Sequence, residues 1–193
     1  MYQPDTLTPR TLLKVRRLGA NDIARYREIR LEGLQKHPEA FSLSWEDEAA
    51  SAASWWAERL ATNVVLGGEI DGSPLLGVVA FRVHSAAKLR HKGILWGMYV
   101  RPHARGMGLA ASLVQRVIEW ARPPVEEICL TVVASNTAAC RLYRRAGFEP
   151  YGLERRALKI GDAYYDEALM ALPLRRRSGA PGRESREAAA GND

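Results

Sequence analysis

The residues best placed to do chemistry in this 193-residue chain lie between positions 93 and 121. Ile94, Leu95, Trp96, Met98, Tyr99 and Val100 read as a strand, and Pro102 ends it because it has no amide to donate. Arg105, Gly106, Met107 and Gly108 then make a turn with little side-chain bulk near the backbone. From Leu109 onward, Leu113, Val114, Val117, Ile118 and Ala121 recur at helical spacing, until Pro123 and Pro124 stop the helix. A glycine-lined turn that opens a helix leaves several N–H groups unpaired and converging at the positive end of the dipole. Such a turn is built to hold a phosphate.

Two kinds of phosphate loop fit this spacing. Gly106-x-Gly108-x-x-Ala111 matches the dinucleotide fingerprint, but that fingerprint expects an acidic residue after the next strand. Glu126 and Glu127 come before it, and no second run of alternating strands and helices follows. The dinucleotide reading fails. Arg105-x-x-Gly108-x-Ala110 instead resembles the pyrophosphate loop of the GNAT superfamily of acyl-CoA N-acyltransferases. A second block, Asn136 through Tyr143 to Gly147 and Phe148, resembles that superfamily's other signature, in the same order and at the usual separation. The resemblance covers about residues 74–172.

The resemblance implies acetyl-CoA as cosubstrate, an amine as acceptor and no metal. It implies that main-chain N–H groups of Gly106, Met107, Gly108, Leu109, Ala110 and Ala111 cradle the pyrophosphate, with Arg105 closing one side. A Cβ at the glycines would hold the phosphates away. The central strand's Met98, Tyr99 and Val100 are expected to pair with the pantetheine arm, the Met98 N–H being the oxyanion donor and Gly97 a bulge that opens the gap. Asn136 caps the next helix and, by resemblance, touches the coenzyme. Tyr143 stands where the superfamily keeps its general acid, and a phenol with a pKa near 10 suits a thiolate of similar basicity. Each of these has a plainer reading: a tight turn, a core strand, and a core tyrosine on a face with Ala139 and Ala146.

The base is not legible. Some superfamily members carry a glutamate early on the central strand, where this chain has Gly93, Ile94 and Leu95. The ribosomal-protein-alanine acetyltransferases carry one where this chain has Thr131. The remaining candidates are Glu46, Asp47, Glu48, Glu69, His84 and His91, each of which also reads as a solvated surface residue. His103 belongs to the phosphate loop.

These residues need a frame to hold them. Residues 12–18 read as the first strand, with Asn21 or Asp22 capping a helix that ends before Pro38. Residues 39–52 read as a loop and are followed by a helix carrying Trp55, Trp56 and Leu60. Two strands then turn at Asp71 and Gly72. After the central strand and its helix come a buried strand over 128–134, the Asn136 helix ended by Gly147, and a hairpin turning at Gly161 and Asp162. The order β-α-α-β-β-β-α-β-α-β-β is that of the α/β (α+β) GNAT fold, with a mixed central sheet of about seven strands flanked by about four helices. The expected division is an extension over 1–10, the GNAT domain over 11–174, and a basic tail over 175–193 that reads as disordered.

The composition is 47% apolar, enough for one ordinary core, and no apolar run approaches the roughly 20 residues of a membrane span. Residues 1–10 lack the apolar segment of a signal peptide. Cys129 and Cys140 have no zinc or redox spacing and read as packed thiols, which suits a reducing cytoplasm. A formal charge of +6 suits an anionic coenzyme and leaves a ribosomal or peptide acceptor open. No membrane partner is expected, and the chain is expected to be a monomer or a homodimer. Two other function classes stay open. One is a non-catalytic acyl-CoA sensor or interaction module, which has no need of an acid at Tyr143. The other is acetylation of aminoacyl-tRNA, suggested by the charge alone.

Overall fold

The computed structural model describes residues 13–70 and 74–174. A seven-stranded sheet runs in the order β1-β2-β3-β4-β5-β7-β6. Its strands are β1 (Leu13–Arg17), β2 (Val64–Ile70), β3 (Gly77–Val83), β4 (Lys92–Val100), β5 (Glu127–Val133), β6 (Glu149–Ile160) and β7 (Ala163–Pro173). Every neighbouring pair is antiparallel except β4 and β5. The described residues form five α-helices: α1 (Ile23–Lys36), α2 (Trp45–Ala49), α3 (Ala53–Thr62), α4 (Leu109–Trp120) and α5 (Thr137–Arg145).

The helices divide between the two faces of the sheet. Leu109, Leu113, Val114 and Val117 make one stripe of α4, each no more than 1% exposed, and pack with Cys140 and Tyr143 of α5 on the first face. Burying each such leucine or valine contributes roughly 1.5–3 kcal/mol. On the second face Tyr26 and Ile29 of α1, with Trp56 and Leu60 of α3, pack on Val65, Val78, Ala80 and Tyr99. Gly147 ends α5 at φ 95, as a C′ glycine should.

Two local expectations change. The stretch read as loop contains α2, which a capping box starts: Asp47 N donates to Ser44 Oγ, and Ser44 N donates to Asp47 Oδ2, both at 3.1 Å. At five residues it is too short to show a periodic apolar stripe. Asp22 does precede α1, but its carboxylate makes no cap bond. Instead it accepts from Arg16 Nη1 at 2.8 Å, Arg16 Nη2 at 2.7 Å and Gly19 N at 3.0 Å, tying β1 to the start of the helix. The expected turn at Asp71 and Gly72, and the expected extension and tail over 1–10 and 175–193, lie outside the described residues.

Candidate active site

The phosphate loop folds as a one-turn helix over Pro102–Ala104 followed by Arg105 to Gly108. Gly106 and Gly108 have φ of 80 and 81, the left-handed region that a side chain disfavours. A Cβ on either would point into open space. Gly108 is the N-cap of α4 and makes no side-chain cap bond, and Ser112 N is bonded back to Gly108 O at 3.0 Å. The N–H groups of Leu109, Ala110 and Ala111 therefore have no intrahelical partner. They face the same open space at the positive end of a 12-residue helix. A pyrophosphate fits this cradle. Arg105 lies at its edge with Nε donating to Val100 O at 3.1 Å and Nη2 to His37 Nε2 at 3.0 Å, which anchors the loop to the end of β4.

Next to the loop the sheet opens. β4 pairs with β5 only where Lys92, Gly93 and Ile94 meet Glu127, Ile128 and Cys129. Past Ile94 the strands part, and the edge of β4 that faces β5 has no ladder partner. Gly97, at φ 64, and Met98 together oppose Val79, so the bulge sits at the opening. Arg101 N donates to Leu76 O at 2.9 Å, and Tyr99 pairs with Val78 two residues earlier. Strand alternation then turns the main-chain groups of Met98 and Val100 away from β3 and toward the gap. Tyr99 is turned the other way. Its main chain faces β3, and its hydroxyl donates to Glu32 Oε1 at 3.0 Å, burial and that carboxylate pushing the phenol up to about 12. Tyr99 thus turns its main chain away from the gap that the main chain of Met98 and Val100 faces.

Tyr143 comes to the same region from α5, on the face that holds the loop. It is 5% exposed and meets Phe148 edge-on, ring centroids 5.9 Å apart. Its hydroxyl has no hydrogen-bond partner among the described residues, and burial raises the phenol above its ordinary range. Asn136 caps α5, its Oδ1 accepting from Ala139 N at 3.0 Å.

The opposite face of the gap holds a cleft of about 850 Å³. Ile94, Trp96 and Gly97 of β4, Cys129 and Thr131 of β5, and Glu167 of β7 line it, with Arg30 of α1 and Trp55 and Arg59 of α3 opposite. Three of the six base candidates read from the sequence are committed elsewhere. Glu48 is 1% exposed and chelated by Arg30 and Arg59. Asp47 caps α2, and Glu69 is bound to Arg16 and Arg25. His84 lines the cleft, and so does Glu167, which the sequence reading passed over. Glu167 is 8% exposed. Burial raises its carboxyl, Glu154, its register partner on β6, raises it further, and the Thr131 hydroxyl opposes both.

Residues 31–148 match the sequence model of the acetyltransferase (GNAT) family. The chain belongs to the GNAT family. Mycothiol acetyltransferase of Mycobacterium leprae is 28% identical to it over 165 residues, 78% of this chain and 51% of that protein. The chain thus spans about half the length of that relative. The L-amino acid N-acetyltransferase AaaT of Escherichia coli is 33% identical over 121 residues, 57% of this chain and 72% of that protein. Among solved structures, yncA of Salmonella typhimurium, with its cofactor acetyl-CoA, superposes with a TM-score of 0.71. It is 21% identical, and the match covers 89% of this chain and 99% of that one, so it speaks to the fold.

In this GNAT chain Met98, Val100 and Tyr143 belong to the core on the α4 and α5 face, where the loop opens α4, and the cleft opens at the other face. Glu46, on the exposed side of α2, and His91 do not line the cleft. The described residues contain no group of three His, Cys, Asp or Glu able to hold a metal, and no helix long and apolar enough to cross a membrane. One available signal for Glu167 was a charged residue in the middle of the strand that reads Ala163 to Leu172. Its register beside Val133 is what brings it to the cleft.

Proposed function

We propose that this chain transfers an acetyl group from acetyl-CoA to a primary amine by direct attack in a ternary complex. The observation that carries the proposal is the parted pair β4 and β5, with an anion cradle on one face of the sheet and a cleft on the other. Bound acetyl-CoA supplies the activated acyl group. The amides of Gly106 to Ala111 hold its pyrophosphate, and Met98 and Val100 take the pantetheine arm through their main chain, as an added half-strand would. The Met98 N–H donates to the carbonyl oxygen where negative charge develops. Glu167 accepts the ammonium proton of the acceptor at its carboxylate, its raised affinity for protons making it the better base. Tyr143 Oη holds the proton that the departing thiolate takes.

Release of free thiol from acetyl-CoA in the presence of a panel of amines tests this, with release in the absence of amine subtracted. Amine-dependent release is the expected result. Tight binding of acetyl-CoA with no release for any amine would make the chain an acyl-CoA sensor instead.

A further inference from the structure

The cleft contains more buried positive charge than its neighbours neutralise. Arg30, 3% exposed, is chelated by Glu48, with Nε to Oε2 at 3.0 Å and Nη2 to Oε1 at 2.7 Å. Arg59 donates from Nη2 to the same Oε1 at 3.2 Å. No other carboxylate pairs with either arginine among the described residues. One negative charge therefore serves two guanidinium groups, in a place where an uncompensated charge is costly. Among the described residues, Arg30 Nη1 and Arg59 Nε are buried without any partner, and so is the indole Nε1 of Trp96. All three residues line the cleft.

Their aromatic surroundings direct these donors. The Arg30 guanidinium lies 4.5 Å from the centroid of Phe41, and that of Arg59 lies 4.5 Å from both Trp55 and Trp96. Rings occupy the flat faces of the cations and cannot accept along their edges, so the N–H groups there remain for something else. Arg30 Nη1 sits over Gly97, 3.4 Å from where a Cβ would be, and Gly97 marks the opening between β4 and β5. Arg30 Nη1 is therefore close to the opening where the proposed reaction takes place.

We infer that the cleft binds an acceptor carrying a carboxylate next to its amine, an α-amino acid, with the carboxylate held by Arg30 Nη1, Arg59 Nε and Trp96 Nε1. The inference rests on the acetyltransferase reading of the same site. The carboxylate supplies the missing negative charge and satisfies donors that otherwise stay dry. Because the donors stand beside the gap, amine and carboxylate are only a few bonds apart. The acceptor's side chain extends along Phe41, Leu43 and Trp55.

The experiment compares α-amino acids with their α-carboxamides, matched side chain for side chain, as acceptors in the thiol-release assay. The expected result is a preference of at least about 10²-fold in kcat/KM for the carboxylate, since a site built for a polar group rejects analogues lacking it. Arg59→Gln should reduce that preference to within about tenfold. Trp96→Phe keeps an aromatic ring, removes one donor and should raise KM for the carboxylates. Equal rates for both series would overturn the inference and leave the acetyltransferase reading standing. Calorimetry of N-acetyl amino acids against their amides, with coenzyme A present, reads binding without turnover. Carboxylate-dependent binding with no thiol release supports the inference and removes the reading; binding of neither series removes the inference.

Discussion

In the proposed reaction Tyr143 and Glu167 face opposite requirements, and their surroundings suit each to one of them. Tyr143 sits among apolar neighbours with its hydroxyl unpaired, so burial holds the proton on. Tyr143→Phe deletes that proton and almost no volume. It is expected to lower kcat about 10²- to 10⁴-fold, the scale of a positioned acid. Acetyl-CoA affinity by calorimetry should barely change, and a kcat within a fewfold of wild type would reduce Tyr143 to a packing residue. Glu167 must instead start as a carboxylate. With its proton affinity raised, kcat should fall as pH drops through a point above the usual carboxylate range. Glu167→Gln should remove that acidic limb along with about 10²- to 10⁴-fold of kcat. The same shift makes a second readout. Burial favours the neutral carboxyl, so ionisation costs the folded state stability as pH rises. The glutamine variant should therefore melt at or above the wild-type temperature at neutral pH, which distinguishes a lost base from a damaged fold. The mid-strand charge was the one sequence signal for Glu167, and its place at the cleft depends on register with Val133, three elements earlier in the chain.

At the scale of elements, the loop and the α4 and α5 termini were legible because their constraints are local. Left-handed backbone at Gly106, Gly108 and Gly147 demands glycine wherever the rest of the chain goes. The Asn136 cap likewise involves residues only three apart. The Arg30–Glu48–Arg59 cluster joins α1, α2 and α3, and charged residues separated by 11 to 18 positions read as independent surface charges. The network that fastens β1 has the same character. Asp22 accepts from Arg16, and Arg16 also donates to Glu69 Oε1 at 2.8 Å, linking β1, the start of α1 and β2. The Arg16 hydrogen bonds hold the Asp22 carboxyl down to about 2. A depressed acid stabilises the fold above its unfolded pKa of roughly 4 and loses that contribution as pH falls through the folded value. Asp22→Asn should therefore cost about 1–2 kcal/mol at neutral pH, lower the melting temperature by a few degrees, and flatten the acid side of a stability–pH curve between about 4 and 2. A variant with the wild-type acid limb would show that Asp22 contributes no such linkage.

Across the whole molecule, the division of the sheet into two faces bears on the order of the proposed chemistry. The anion cradle and Tyr143 lie on the α4 and α5 face, while the cleft with Glu167 lies under α1 and α3. In the proposed reaction, two substrates entering from opposite sides meet only where β4 and β5 part, and both must be present before the acetyl group moves. A two-step route would need a protein nucleophile in the gap. Cys129 is the cleft's one thiol among the described residues, at the last paired rung of β4 and β5. Burial raises its thiol, and the Glu127 carboxylate, accepting from Sγ at 3.5 Å, raises it further. Both effects suppress the thiolate, the form that attacks. Initial-rate plots against either substrate should therefore intersect rather than run parallel, since parallel lines report a covalent intermediate. Cys129→Ala should keep kcat within a fewfold. Parallel lines, together with loss of turnover in the alanine variant and an acetyl group found on Cys129 by mass spectrometry, would replace direct transfer with a two-step route through the thiol.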